Sequence, residues 1–294
     1  MNFNKLSNRT KGIIFIVISA FGFALMSAFI KLSGDLPSFQ KTFFRNLISL
    51  FVALILVLKS KDSLFGKKEN QKLLFSRSIL GTLGIVCNYY AIDRLILSDA
   101  NMLNKLSPFF VIIFSALFLK EKINKAQITG IIVAFIGVLF VVKPSFNFEI
   151  IPALIGILGG VCAAGAYTCV RALGGREKPH TIVFYFSLCS SLIIAPFMIV
   201  SYKEMSILQL TYLICAGLSA SIGQFGITFA YKFAPAKEIS IFDYSNIAFA
   251  AIFSFSIFGV VPDRLSFVGY AIIFVASLYM FMYNRRLDKK EINT

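Results

Sequence analysis

Tryptophan is absent from this chain of 294 residues, and histidine occurs once, as His180. Charge is scarce as well: Asp, Glu, Lys and Arg together make up 15% of the residues, against 57% apolar. So few charges cannot cover the surface of a soluble domain of this size, and long apolar runs recur throughout, so the chain reads as a polytopic membrane protein. The five cysteines, Cys87, Cys162, Cys169, Cys189 and Cys215, fall inside apolar runs and form no close pair, which suggests neither a disulfide framework nor a metal site. The lone histidine has no acid cluster, metal-spaced ligand set or serine-nucleophile turn around it, which argues against a membrane-embedded enzyme. A phosphate-cradling glycine loop is missing, which excludes ATP hydrolysis on this chain. A repeated ring of pore-lining charge is missing too, which argues against the remaining class, a channel or receptor. No cofactor is expected.

What is present is a set of ten apolar stretches with approximate limits 12–32, 38–58, 72–92, 96–119, 125–142, 151–172, 179–201, 208–231, 237–258 and 264–283. Each is about 18–24 residues, enough to cross a hydrocarbon core ~30 Å thick. The first continues to Leu32 without a small-residue cleavage site and reads as a retained span. The net charge of +15 implies lipid contact and insertion signals, not nucleic acid. With the N-terminus placed in the cytoplasm, 21 Lys and Arg residues fall in inner segments, among them Lys67, Lys72 and Arg77 after the second span. Only 6 fall outside: Lys31, Lys41, Arg94, Lys143, Lys203 and Arg264. Arg45 and Lys105 lie within spans. This bias predicts ten spans in the cell (cytoplasmic) membrane with both termini in the cytoplasm.

The second half repeats the first. Residues 89–130 align without a gap on residues 228–269, with 6 identities in 42 positions, including Ala91 with Ala230 and Gly130 with Gly269. The predicted fold is therefore all-α and integral to the membrane: a first repeat over 1–145 and a second over 146–294, five helices each. An odd number of spans per copy inverts one copy relative to the other, about an axis in the membrane plane. Two inverted units can exchange conformations, which would open one central cavity to alternate sides.

Buried polar residues locate that cavity. Asn101, Asn104, Lys105 and Pro108 share one face of the fourth span, and Ser240, Asp243 and Tyr244, with Asn246 beside them, share a face of the ninth. In the self-alignment Asn101 meets Ser240, Asn104 meets Asp243 and Lys105 meets Tyr244. A charge at a helix centre costs roughly 2.5–3.5 kcal/mol on insertion scales, so these residues need a reason to be there. One reading is a site for a small zwitterion, its carboxylate toward Lys105 and its amine toward Asp243. The other is that Lys105 and Asp243 pair with each other and fasten the bundle. Pro108 has no amide hydrogen for the carbonyl of Asn104, which suits a cavity or a plain kink. Arg45 either snorkels outward or lines the cavity and attracts an anion. Asn88 and Gln224 are candidate walls or interhelical hydrogen-bonding groups. Tyr167 and Tyr185 offer either aromatic or hydroxyl contacts or interior packing, with packing the favoured reading. Asp243, Glu238 and Asp99 are candidate proton carriers.

These residues resemble the drug/metabolite transporter superfamily, in its ten-span EamA-type branch. The resemblance rests on FFRNLISL around Arg45, on NYYAIDRLILSDANMLNKLSPFFVIIFSALFLKEKI from Asn88 to Ile123, and on the QITG stretch after it with Gly130 and Gly137. Arg45, Ser107-Pro108 and Glu121 stand where the family pattern has them. The second repeat departs from it: Val260 stands opposite Glu121, and Ile247 opposite Pro108. The resemblance implies a secondary carrier of small organic solutes such as amino acids, nucleotide-derived metabolites or drugs. Membrane lipids are expected as surroundings, a proton gradient or exchange as driving force, and a monomer or weak dimer as the assembly.

Overall fold

The computed structural model describes residues 6–119, 123–143, 150–234 and 239–292. Glu121 and Glu238, singled out above, lie outside the described residues. The helices are α1 (Asn8–Leu32), α2 (Ser38–Ser60), α3 (Gln71–Arg94), α4 (Leu97–Asn104), α5 (Ser107–Leu119), α6 (Lys125–Val142), α7 (Ile151–Ala172), α8 (Pro179–Val200), α9 (Ile207–Phe233), α10 (Ser245–Phe258) and α11 (Arg264–Ile292). A 3-10 segment, Ser240–Tyr244, leads directly into α10. The protein is an all-α membrane protein. Among the described residues, nine helical stretches are long and apolar enough to span a bilayer, with α4 and α5 counted as one. The tenth, α3, has 24 residues and so the length of a span. It misses on hydropathy because it carries Arg77, Ser78, Thr82, Asn88 and Asp93. All but Asp93 are buried, so they are withheld from lipid.

Two expected spans differ in detail. The fourth is broken into α4 and α5 at Lys105-Leu106. The ninth enters through the 3-10 turn before becoming α-helical at Ser245. The last helix also runs beyond its expected end, to Ile292.

Helix packing has a symmetry of its own. α1 packs on α9 as α7 packs on α3; α2 packs on α9 as α8 packs on α3. α2 packs on α8, α6 on α11 and α4 on α10, each pair mapping onto itself when the halves are exchanged. Small residues permit the closest approaches. A β-carbon at Gly22 would lie 2.8 Å from the backbone nitrogen of Gly223, and one at Gly159 would lie 3.2 Å from the carbonyl oxygen of Gly84. Gly84 and Gly223 are 139 positions apart, the offset of the self-alignment. Gly22→Val is therefore expected to force α1 from α9 and to destabilise the fold by about 1–3 kcal/mol, read as a lower melting midpoint in detergent. An unchanged midpoint would show that the two backbones can part freely.

Polar ties hold both ends of the bundle. On the face where α1 begins, which carries most of the basic residues, His180 Nδ1 lies 2.9 Å from Asp62 Oδ2. There Glu177 Oε1 also accepts from the Lys67 backbone at 2.8 Å and from Asn70 Nδ2 at 2.7 Å. Hydrogen bonds from His180 and Ser60 hold the Asp62 carboxyl below the usual carboxylate range. On the opposite face Lys41 Nζ meets Asp93 Oδ1 at 2.5 Å. Lys31 Nζ donates to the carbonyls of Leu95 at 2.5 Å and Ile92 at 3.2 Å, near the end of α3. Gln40 and the Lys203 backbone exchange two hydrogen bonds of 2.9 Å.

Candidate functional site

The break in the fourth span follows from its sequence. Pro108 offers no hydrogen to Asn104, and the Leu106 and Phe109 amides turn to carbonyls three residues back, Leu103 at 3.2 Å and Leu106 at 3.0 Å. The Lys105 carbonyl, left out of this tightened turn, accepts the Tyr244 hydroxyl at 3.2 Å. Beside it Lys105 Nζ meets Asp243 Oδ2 at 2.5 Å, with the two side chains 10% and 14% exposed. The breaks in the two halves thus touch through one ion pair and one hydrogen bond. Of the two readings of Lys105 and Asp243, this conformation displays the pair. The other carboxylate oxygen, Asp243 Oδ1, is buried and has no hydrogen-bond partner among the described residues.

A cavity lies next to this junction. Its walls include Arg45, Asn88, Asn101, Asn104, Lys105, Gln224 and Asn246. Seven of the nine expected site residues therefore share one space. Asp243 and Tyr244 are not on its wall; they stand behind Lys105 and fix its position. The empty space between the walls, counted out to its mouth and with the open solvent there, is ≈ 710 Å³.

The amide groups are held in different ways. Asn101 donates from Nδ2 to the Leu97 carbonyl at 2.7 Å and accepts from Ser27 at 3.1 Å, so its position is set by α1. Asn246 donates to the Ala20 carbonyl at 2.8 Å. Asn88 Oδ1 is buried without a partner among the described residues. Arg45 is 1% exposed, which excludes the snorkelling alternative. Its Nη1 donates to Asn46 Oδ1, and Asn46 in turn donates to Ser190 at 2.6 Å, so α8 orients the guanidinium through an amide.

Two wall residues correct the sequence reading. Arg77 was expected in the inner loop segment. It lies seven residues into α3, is 5% exposed, and lines the cavity. Its guanidinium carbon sits 3.5 Å from the centroid of the Phe186 ring, and Nη2 points to Gln224 Oε1 at 3.4 Å. The charge count groups Arg77 with the loop lysines although it falls within the third expected span, 72–92; the helix starts at Gln71, and Arg77 shares a face with Gly81, Gly84 and Asn88 at helical spacing. Tyr167 also lines the cavity, beyond the packing role expected of it. Asp99, a candidate proton carrier, is not on the cavity wall; its Oδ1 accepts the Tyr270 hydroxyl at 2.5 Å. The five cysteines are free, and no cluster of three or more metal-ligating side chains exists among the described residues.

A polar cavity where a broken helix of one half meets the 3-10 entry to a helix of the other, inside a helical membrane bundle, is the architecture of a carrier. The EamA-like transporter family model matches residues 10–143 and again residues 150–282. This chain belongs to the EamA-like transporter family. It is 34% identical to a pseudopaline exporter, CntI, of Pseudomonas aeruginosa over 270 residues, covering 91% of this chain and 94% of that protein. It is 28% identical to a riboflavin transporter of Brucella anthropi, covering 83% and 88% of the two chains. It is also 28% identical to the mouse solute carrier family 35 member G1, covering 90% and 76%. A solved crystal structure superposes with a TM-score of 0.70 over 95% of this chain and 99% of the other, at 14% identity, and so shares the fold. The protein is thus a membrane transporter of the drug/metabolite type.

Proposed function

We infer that this EamA-family protein is a secondary carrier that moves a small organic metabolite by alternating access through the cavity at Lys105. The carrying observation is the junction of the two broken spans, where Lys105 meets Asp243 and the Lys105 carbonyl meets Tyr244. Helix breaks beside a polar cavity supply the side-chain and backbone groups that hold solute, and an ion pair at the junction that can part and re-form lets the halves move there. The two units that move are the repeats of residues 1–145 and 146–294, inverted in the membrane. The symmetric packing pairs support this division. Exchange or a proton gradient drives the cycle. The cytoplasmic side is the basic face, with both termini there.

The test is counterflow. Protein in liposomes preloaded with a solute mixture is expected to accumulate labelled solute of the same class, and protein-free liposomes are not. Absence of movement for every solute tried, in protein shown to be folded, would overturn the carrier reading. Reporter fusions after Thr294 and near Ser145 are expected to report cytoplasm and exterior; the reverse would overturn the orientation.

A further inference from the structure

We propose that the cavity selects solutes carrying two negative charges, on two carboxylates or one phosphate, over solutes of zero net charge. The proposal rests on the carrier reading above and names its substrate class. It follows from the charge inventory of the cavity. Lys105 is neutralised by Asp243. Arg45 and Arg77 are not neutralised: among the described residues no carboxylate lies within ion-pair distance of either. Both line the same cavity and both are at least nine-tenths buried.

Their local contacts leave capacity unused. Arg77 has the Phe186 ring against one face and a long contact to Gln224, while its Nε and Nη1 hydrogens have no partner. Arg45 donates to Asn46, while its Nε has no partner. A buried unpartnered N–H is costly, and a buried charge more so. Two such groups on the wall of one cavity keep that cost until an anion enters. A net-neutral zwitterion leaves the sum of charge in the cavity at two positive units; a dianion cancels it. Arginine is also the side chain whose planar donor set suits carboxylate and phosphate alike. An amine on the same solute is compatible with the site, since Asn88, on the cavity wall, has an Oδ1 without a donor among the described residues.

The experiment is a counterflow and melting panel on the full-length protein with four probes: succinate, glycerol 3-phosphate, leucine and putrescine. Succinate or glycerol 3-phosphate is expected to raise the melting midpoint and to exchange, with leucine and putrescine inert; the two dianion arms distinguish carboxylate from phosphate. Arg45→Gln and Arg77→Gln are each expected to weaken dianion binding about tenfold or more, the loss of a charge-assisted contact, with partial recovery in Arg45→Lys and Arg77→Lys. Exchange of leucine or putrescine with both dianions inert would overturn the charge rule and leave the carrier reading standing. Failure of all four probes and of any other solute to move would overturn both. The wild-type panel decides the matter even where a glutamine variant fails to fold.

Discussion

Lys105→Ala is expected to abolish transport and to lower stability by about 3–5 kcal/mol, whereas Lys105→Met combined with Asp243→Leu is expected to restore stability but not transport. The reasoning starts from burial. The two side chains are 10% and 14% exposed and meet at 2.5 Å. Removing one strands the other charge where water cannot solvate it. Removing both leaves no charge to strand, and well-packed apolar replacements of buried pairs are commonly neutral or stabilising. Melting midpoint and transport therefore separate. A pair that only fastens the bundle is dispensable once the apolar pair packs; a pair that must part and re-form during transport is not. Asp243→Asn retains one hydrogen-bond acceptor near Lys105, so it is expected to cost less stability than Lys105→Ala while still abolishing counterflow. Wild-type counterflow by the double variant would reduce the pair to a fastening.

Much of this cavity is legible in the sequence. The self-alignment placed Asn104 opposite Asp243 and Lys105 opposite Tyr244, and the folded chain brings Asp243 and Tyr244 onto Lys105. Arg45 was legible as one of only two basic residues deep within a span. Pro108 announced the first helix break, because a missing amide hydrogen leaves a mark in sequence. The 3-10 entry to the ninth span left none: Ser240–Tyr244 contains neither proline nor glycine. Arg77 was hidden by its neighbourhood. It follows a run of loop lysines, and charge counting assigned it to them. The spacing Arg77, Gly81, Gly84, Asn88 carried the signal, since it extends the polar face already visible at Asn88 by one more turn. Tyr167 carried no such signal, because an aromatic on a small-residue helix reads the same whether it meets a neighbour or a void.

Asp93→Asn is expected to open the face opposite the basic one. Lys41 is fully buried, and Asp93 is its ion-pair partner at 2.5 Å. Together with Lys31 on the Leu95 and Ile92 carbonyls, the pair holds the end of α3 to α1 and α2. In the proposed cycle this end must release when the cavity faces outward. An amide at position 93 leaves the Lys41 ammonium buried without a counter-charge, a state a conformation with water at this end relieves. Each 1.4 kcal/mol of such bias moves the two-state population tenfold, so loss of one buried partner shifts it by on the order of tenfold or more. The readout is labelling of a cysteine at Ile85, on the cavity wall, by a membrane-impermeant maleimide added outside, in a chain whose five native cysteines are replaced. Labelling is expected to accelerate in Asp93→Asn and to stay slow in Asp93→Glu, which keeps the charge. If the labelling rate is the same in all three chains, the Lys41–Asp93 pair takes no part in closing the cavity. A fall in melting midpoint without faster labelling would make it a brace of the fold; faster labelling makes it a latch within the first repeat that closes this end of the cavity.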